Sequence, residues 1–218
     1  MAYNLPNIIT TIKNKGYKIY NEPYKLNIIG IRLINKIDQN KFDDFIAFFY
    51  YDNNGKIIGK IAEATTDPGT YFLKNPMKKK GTAILKAGQY VNAYMIGLHR
   101  NKYEALVQRA GPVTVIRDSD RDGYININNI EETGYYGINI HRASRGKNNV
   151  AIIDRDSAGC QVFKNEDDFN LMMQMAKKSR DIYGNKFTYI LLDERDVLKN
   201  RIAGLLIAGI VLVATTLT

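Results

Sequence analysis

The sequence predicts a mainly β (α+β) protein: a β-sheet body with one long packed helix, followed by a C-terminal transmembrane helix. Three observations carry this. Short apolar and aromatic runs recur between turn signals, as in Lys25 to Leu33, Phe45 to Tyr51 and Phe187 to Asp193. One stretch beginning at Asn165 has the charge layout and apolar spacing of a helix. The last residues, 202–218, contain no charge at all.

Residues 1–24 read as a helix and lead-in. Leu5, Ile8, Ile9 and Ile12 sit at helical spacing, and Gly16 stops the helix. Asn, Pro, Thr and Lys interrupt the apolar run that a signal peptide needs. The apolar face is expected to pack on the body, with membrane or partner docking as the alternative.

Residues 25–198 form the body. Asp52-Asn53-Asn54-Gly55 turns one strand into Lys56 to Ala62. Asp67-Pro68-Gly69-Thr70 is a second turn, and Lys78 to Lys80 is read as a solvated one. Ala83 to Leu85, Tyr90 to Ile96 and Val113 to Arg117 continue the strand pattern. In the helix, Asn165 is the N-cap and Glu166, Asp167 and Asp168 oppose the positive end of the helix dipole. Phe169, Met172, Met173 and Ala176 make its apolar face.

Residues 199–218 are expected to anchor the protein. As a helix, 202–218 would span about 26 Å, near a hydrocarbon core of about 30 Å. The run is apolar all round, and Lys199 and Arg201 flank it, so the domain would stay on the cytoplasmic side of a single span. A buried terminal core helix is the alternative.

The chain has 218 residues and a net charge of +9, which favours anionic partners. The lysines are scattered and no basic recognition helix is visible, so nucleic acid is not expected as a partner. A single cysteine rules out an intramolecular disulfide and a multi-cysteine zinc site.

That cysteine lies in the stretch Gly134 to Phe163 with one of the two histidines. Tyr135 to Ile140 reads as a strand delivering His141. A polar loop, a short strand from Val150 to Ile153 and the turn Asp154 to Gly159 then present Cys160. A thiol is a useful nucleophile as its thiolate, and a neighbouring imidazole can supply the base. Small residues before Cys160 admit a substrate carbonyl, with backbone N–H groups near the turn as oxyanion donors. The bland reading is a small buried thiol and a structural histidine.

The blocks G-I-N-I-H and S-A-G-C-Q-V resemble the catalytic signature of the L,D-transpeptidase (YkuD-type) family, in which a strand ends in His-Gly and a later turn reads Ser-His-Gly-Cys. The resemblance implies a β-sheet catalytic domain in which His141 is the general base and Cys160 the nucleophile. Ser157 opens the nucleophile turn, and Gly159 is its glycine. Arg142 stands in place of Gly, Ala158 in place of the second histidine, and Gln161-Val162-Phe163 lacks the downstream arginine. N-K-F-D-D at Asn40 to Asp44, T-T-D-P-G-T-Y at Thr65 to Tyr71 and the run from Gly81 through Arg109 resemble cell-wall-acting proteins of bacteriophages. That likeness implies a virion membrane as the setting.

The expected function is cysteine-dependent peptidoglycan cleavage or L,D-transpeptidation on stem peptides through a thioester, with no cofactor required for catalysis. Water as acceptor makes a peptidase that lyses the wall; an amine makes a cross-linker. Arg142, Arg145 and Arg155 are unranked candidates to hold a substrate carboxylate. His99 is a second site group or a structural histidine. The expected partners are the stem peptides and, through the C-terminal helix, a lipid membrane. The alternative is a non-catalytic, membrane-associated virion structural protein with a calcium-stabilised β domain, favoured by Arg142 and Ala158. A zinc hydrolase using His99 and His141 lacks an H-E-x-x-H spacing.

Calcium enters through Asp118-Ser119-Asp120-Arg121-Asp122-Gly123-Tyr124, where alternate carboxylates point at one hard cation and the Tyr124 carbonyl adds an oxygen. The twelfth position is Asn129, so Glu131 or Glu132 is the candidate for the last ligand. Strand-like flanks, including Tyr124 to Ile127, argue against a helix–loop–helix.

Overall fold

The computed structural model describes residues 3–34, 38–126, 130–143 and 150–199. Among the described residues the main elements follow in the order α1 (Leu5–Asn14), β1 (Asn27–Arg32), β2 (Asp44–Tyr51), β3 (Ile57–Thr65), α2 (Thr70–Lys74), β4 (Thr82–Leu85), β5 (Gly88–His99), β6 (Tyr103–Val107), β7 (Val113–Asp118), β8 (Glu131–Gly134), β9 (Ile140–Arg142), β10 (Gln161–Phe163), α3 (Glu166–Tyr183) and β11 (Phe187–Asp193).

Eight strands close into a barrel in the order β1-β11-β5-β6-β9-β10-β3-β2, and β4, β7 and β8 form a separate three-stranded sheet. Closure pairs both edges of every barrel strand and leaves no open edge. Two neighbour pairs are parallel, β1 with β11 and β9 with β10. Ile28, Phe48, Tyr94, Leu106, Ile140, Phe163 and Tyr189 belong to one buried cluster, which the small sheet extends through Leu85, Val113 and Val115.

Both long helices are built as their residues dictate. Asn4 caps α1 by accepting from the Asn7 N–H at 2.9 Å, and Ile8, Ile9 and Ile12 pack against Ile29, Ile31, Phe49 and Ile190. The apolar face of α1 therefore covers β1, β2 and β11. Asn165 caps α3 by accepting from the Asp167 N–H at 2.7 Å, and Gly184 ends it at φ 84°. Phe169, Met172, Met173, Met175 and Ala176 join the main core.

The β-rich body agrees with the expectation, but the sheet closes into a barrel, and two further parts need correction. The transmembrane helix and the single-span membrane location are not supported. No helix among the described residues is long and apolar enough to cross a membrane, and residues 200–218 lie outside those described. The strand expected from Tyr135 to Ile140 shrinks to β9, because Tyr136 and Gly137 donate their N–H groups to Gln108 Oε1, both at 2.9 Å, instead of entering a ladder. Val150 to Ile153 makes only an isolated bridge, Ile152 to Lys41, and residues 124–126 are not a strand.

Candidate functional site

β9 and β10 run side by side, with Val162 opposite His141 and Gln161 opposite Ile140. Side chains alternate across a strand. Ile140 and Phe163 enter the main core, whereas Cys160, Val162 and Ala143 share a second cluster. His141 and Cys160 thus face the same side of adjacent strands. Gln161 locks this register from within. Its Oε1 accepts from the Tyr189 hydroxyl at 2.8 Å, and its Nε2 donates to Thr66 O and Gly159 O.

The hydrogen bonds assign both imidazole tautomers. His141 Nδ1 lies 2.7 Å from the Arg142 carbonyl, which only accepts, so Nδ1 carries the proton. Nε2 is then a bare lone pair, buried and without a hydrogen-bond partner among the described residues. His99 is the converse. Asn139 Oδ1 accepts from the Gln108 N–H at 2.9 Å, which turns Asn139 Nδ2 to His99 Nδ1 at 3.0 Å. His99 Nδ1 accepts, and its proton sits on Nε2. Of the two, His141 has the base tautomer.

The rings stack, with centroids 4.1 Å apart. Burial first, then the neighbouring His99, lowers the His141 pKa to about 3. Burial and Arg100 lower that of His99 to about 4. Both are neutral at pH 7. Tyr103 stands over the pair, its hydroxyl 3.4 Å from His141 Nδ1 and from Arg142 O, and burial raises its pKa to about 12.

Cys160 retains some exposed surface, but protein crowds the thiol and burial raises its pKa. Sγ donates to Gly137 O at 3.5 Å. The turn before it is braced by Ser157, whose Oγ donates to Cys160 O at 2.9 Å and accepts from the Gly159 N–H at 3.1 Å. Ser157 therefore positions the turn, and the Gly159 N–H is already spent. Gly159 has φ 115°, and a Cβ there would overlap the Ala83 carbonyl oxygen of the small sheet. Only glycine lets this turn dock so closely.

Two cavities meet at His99. One, of about 340 Å³, is lined by Cys160, Ala158, His99, Arg100, Lys78 and Met77 among others. The other, of about 660 Å³, is lined by His141, Arg142, Tyr103, Asp156, Glu166 and Lys177 among others. His99 and Arg100 line both. Position 158 has no imidazole, yet His99 brings one to the thiol cavity from the end of β5.

Of the three arginines singled out by sequence, the two described ones, Arg142 and Arg155, do not line the thiol cavity. Arg142 pairs with Glu166 at 3.3 Å and lies over the Tyr103 ring on the His141 side. Arg155 stacks on Tyr71 with its guanidinium carbon 3.9 Å from the ring centroid. Arg145 lies outside the described residues. The cations on the thiol cavity are instead Arg100, Lys78 and Arg117. Arg117 is tied to Glu132 at 2.9 Å. Arg100 and Lys78 sit in turns that carry no motif. Sequence reading also missed Tyr103 and Asn139, although the turn after His99 is adjacent in sequence to both Arg100 and Tyr103.

Of the calcium candidates, Asp118, Asp120, Asp122 and Tyr124 remain together in the loop after β7. Glu131 is drawn off to Lys86 at 2.6 Å and Glu132 to Lys80 and Arg117, so neither completes the loop. Asn129 lies outside the described residues. Among the described residues no group of three or more His, Cys, Asp or Glu side chains converges as a metal site.

Fold and site together define a closed β-barrel domain with a buried histidine pair beside a partly exposed thiol. Comparison of the chain with protein-family models, with curated proteins and with solved structures gave no match.

Proposed function

We propose that the protein is a cysteine-dependent acyl-transfer enzyme acting on carboxylate-bearing peptides, with peptidoglycan stem peptides as the class implied by the sequence resemblance. The observation that carries this is the unpartnered lone pair on His141 Nε2, held in the base tautomer by Arg142 O, on the strand beside Cys160. A buried acceptor without a donor costs on the order of 1–3 kcal/mol, which argues for a use.

The resting thiol and imidazole are both neutral, so proton transfer accompanies attack. Sγ leaves Gly137 O and bonds to the substrate carbonyl carbon as its proton passes to His141 Nε2. The C–N bond breaks, and the departing amine takes that proton. Water or a second amine then cleaves the thioester, and the thiol is restored. Arg100, which ion-pairs with no described residue, and Lys78 would receive the carboxylate.

One observation favours a second reading, a non-catalytic binding domain. The thiol already has an acceptor in Gly137 O, and its pKa is raised rather than lowered. Mass spectrometry of purified muropeptides incubated with the protein separates the two. Cleaved or exchanged products that disappear in Cys160→Ala and in His141→Gln, and that need higher substrate in Arg100→Ala, support the enzyme. Unchanged muropeptides with folded wild-type protein overturn it.

A further inference from the structure

The loop after β7 gathers its polar atoms around a single amide. Asn126 Nδ2 donates to Asp120 Oδ2 at 2.7 Å and to Asp122 Oδ2 at 2.9 Å. The Asn126 backbone N–H donates to Asp118 Oδ2 at 2.7 Å, and the Tyr124 N–H donates to Asp122 Oδ1 at 2.7 Å. These bonds alone describe an acidic hairpin tip held by its own amides. Asp118 requires more. It is 1% exposed, and its Oδ1 has no hydrogen-bond partner among the described residues.

A buried carboxylate oxygen is costly unless something positive meets it. Here burial, with Asp120 and Asp122 nearby, pushes the Asp118 pKa up. The basic side chains around the neighbouring strands do not relieve it. Lys80 and Arg117 pair with Glu132, and Lys86 pairs with Glu131.

We propose that residues 118–126 form a calcium site. Its ligands are the carboxylates of Asp118, Asp120 and Asp122, the Tyr124 carbonyl and the Asn126 side chain. The Asn126 amide group occupies the place where a cation would sit, and a half-turn of that amide exchanges its nitrogen for oxygen, converting a donor into a ligand. As folded, one amide bridges the Asp120 and Asp122 carboxylates; a divalent charge in its place draws the three carboxylates together. Several oxygens of mixed type on a pliant loop suit calcium better than magnesium, which demands a near-ideal octahedron. Gly123, at φ 92° against the Lys74 side chain, supplies the sharp turn. The loop begins where Asp118 pairs with Thr82, a residue lining the thiol cavity. The site does not depend on the catalytic reading.

The test is terbium luminescence of the full chain excited through tyrosine, since Tyr124 is 61% exposed within the loop. Expected are emission displaced by calcium chloride and a calcium-dependent rise in Tm of several degrees. In Asp120→Asn/Asp122→Asn, two exposed positions whose loss leaves the calcium-free fold intact, affinity falls on the order of tenfold or more, because it follows ligand charge. Emission equally strong in the double variant, or no Tm response of the wild type to millimolar calcium, overturns the site.

Discussion

His99 lies against His141 with ring planes 25° from parallel, yet the two imidazoles carry their protons on opposite nitrogens. Asn139 holds one and the Arg142 carbonyl the other. Burial is the main reason each has a depressed pKa, with His99 adding to it for His141 and Arg100 for His99.

That depression sets a pH dependence. Unfolded histidine titrates near 6.5, whereas the folded pair titrates at about 4 and about 3. Between these limits the unfolded chain binds more protons than the folded one. Stability is therefore full above about pH 6.5 and falls as pH drops toward 3, by about 1.4 kcal/mol per pH unit for each group while its proton uptake differs. Urea midpoints measured from pH 7 to pH 4 should fall, and the slope should flatten in His99→Gln. An unchanged slope in that variant would sink the assignment.

The thiol should be slow. With its pKa raised by burial and its S–H donated to Gly137 O, Cys160 in the free protein should react with iodoacetamide more slowly than a small-molecule thiol at pH 8, and its rate should rise only in more alkaline solution. His141→Gln should leave that rate nearly unchanged. Fast alkylation at pH 6 would mean that an ion pair already exists at rest.

Gly159→Ala should be among the most damaging single-methyl changes in the chain. It forces a side chain into φ 115° and onto the Ala83 carbonyl. The expected loss is on the order of 1–3 kcal/mol, read as a lowered Tm. Gly137→Ala, also at positive φ but with nothing within 4 Å, should cost less. Equal losses would show that the Ala83 contact is unimportant.

Much of the local structure was legible in the chain. Asn165, the acidic first turn and the spacing of Phe169, Met172 and Ala176 specify α3 within one segment, as Leu5 and the isoleucines specify α1. Phe187 to Asp193 is a strand with the bounds its apolar run suggests. Tyr135 to Ile140 misled because its apolar alternation is strand-like, while Gln108, far along the chain, takes the N–H groups that a ladder would need. Arg142 and Arg155 looked available because Glu166 and Tyr71 are not their sequence neighbours.

The sequence by itself determined the β-rich class and the helices α1 and α3. Periodicity, capping and backbone freedom act over a few residues and leave their mark there. The tertiary structure alone decided that the sheet closes into a barrel, that His99 stacks on His141, that Arg100 and not Arg155 lines the thiol cavity, and that Asn139 and Arg142 O assign the tautomers. Those outcomes depend on which strands become neighbours, and strand pairing joins residues whose separation along the chain carries no periodic signal.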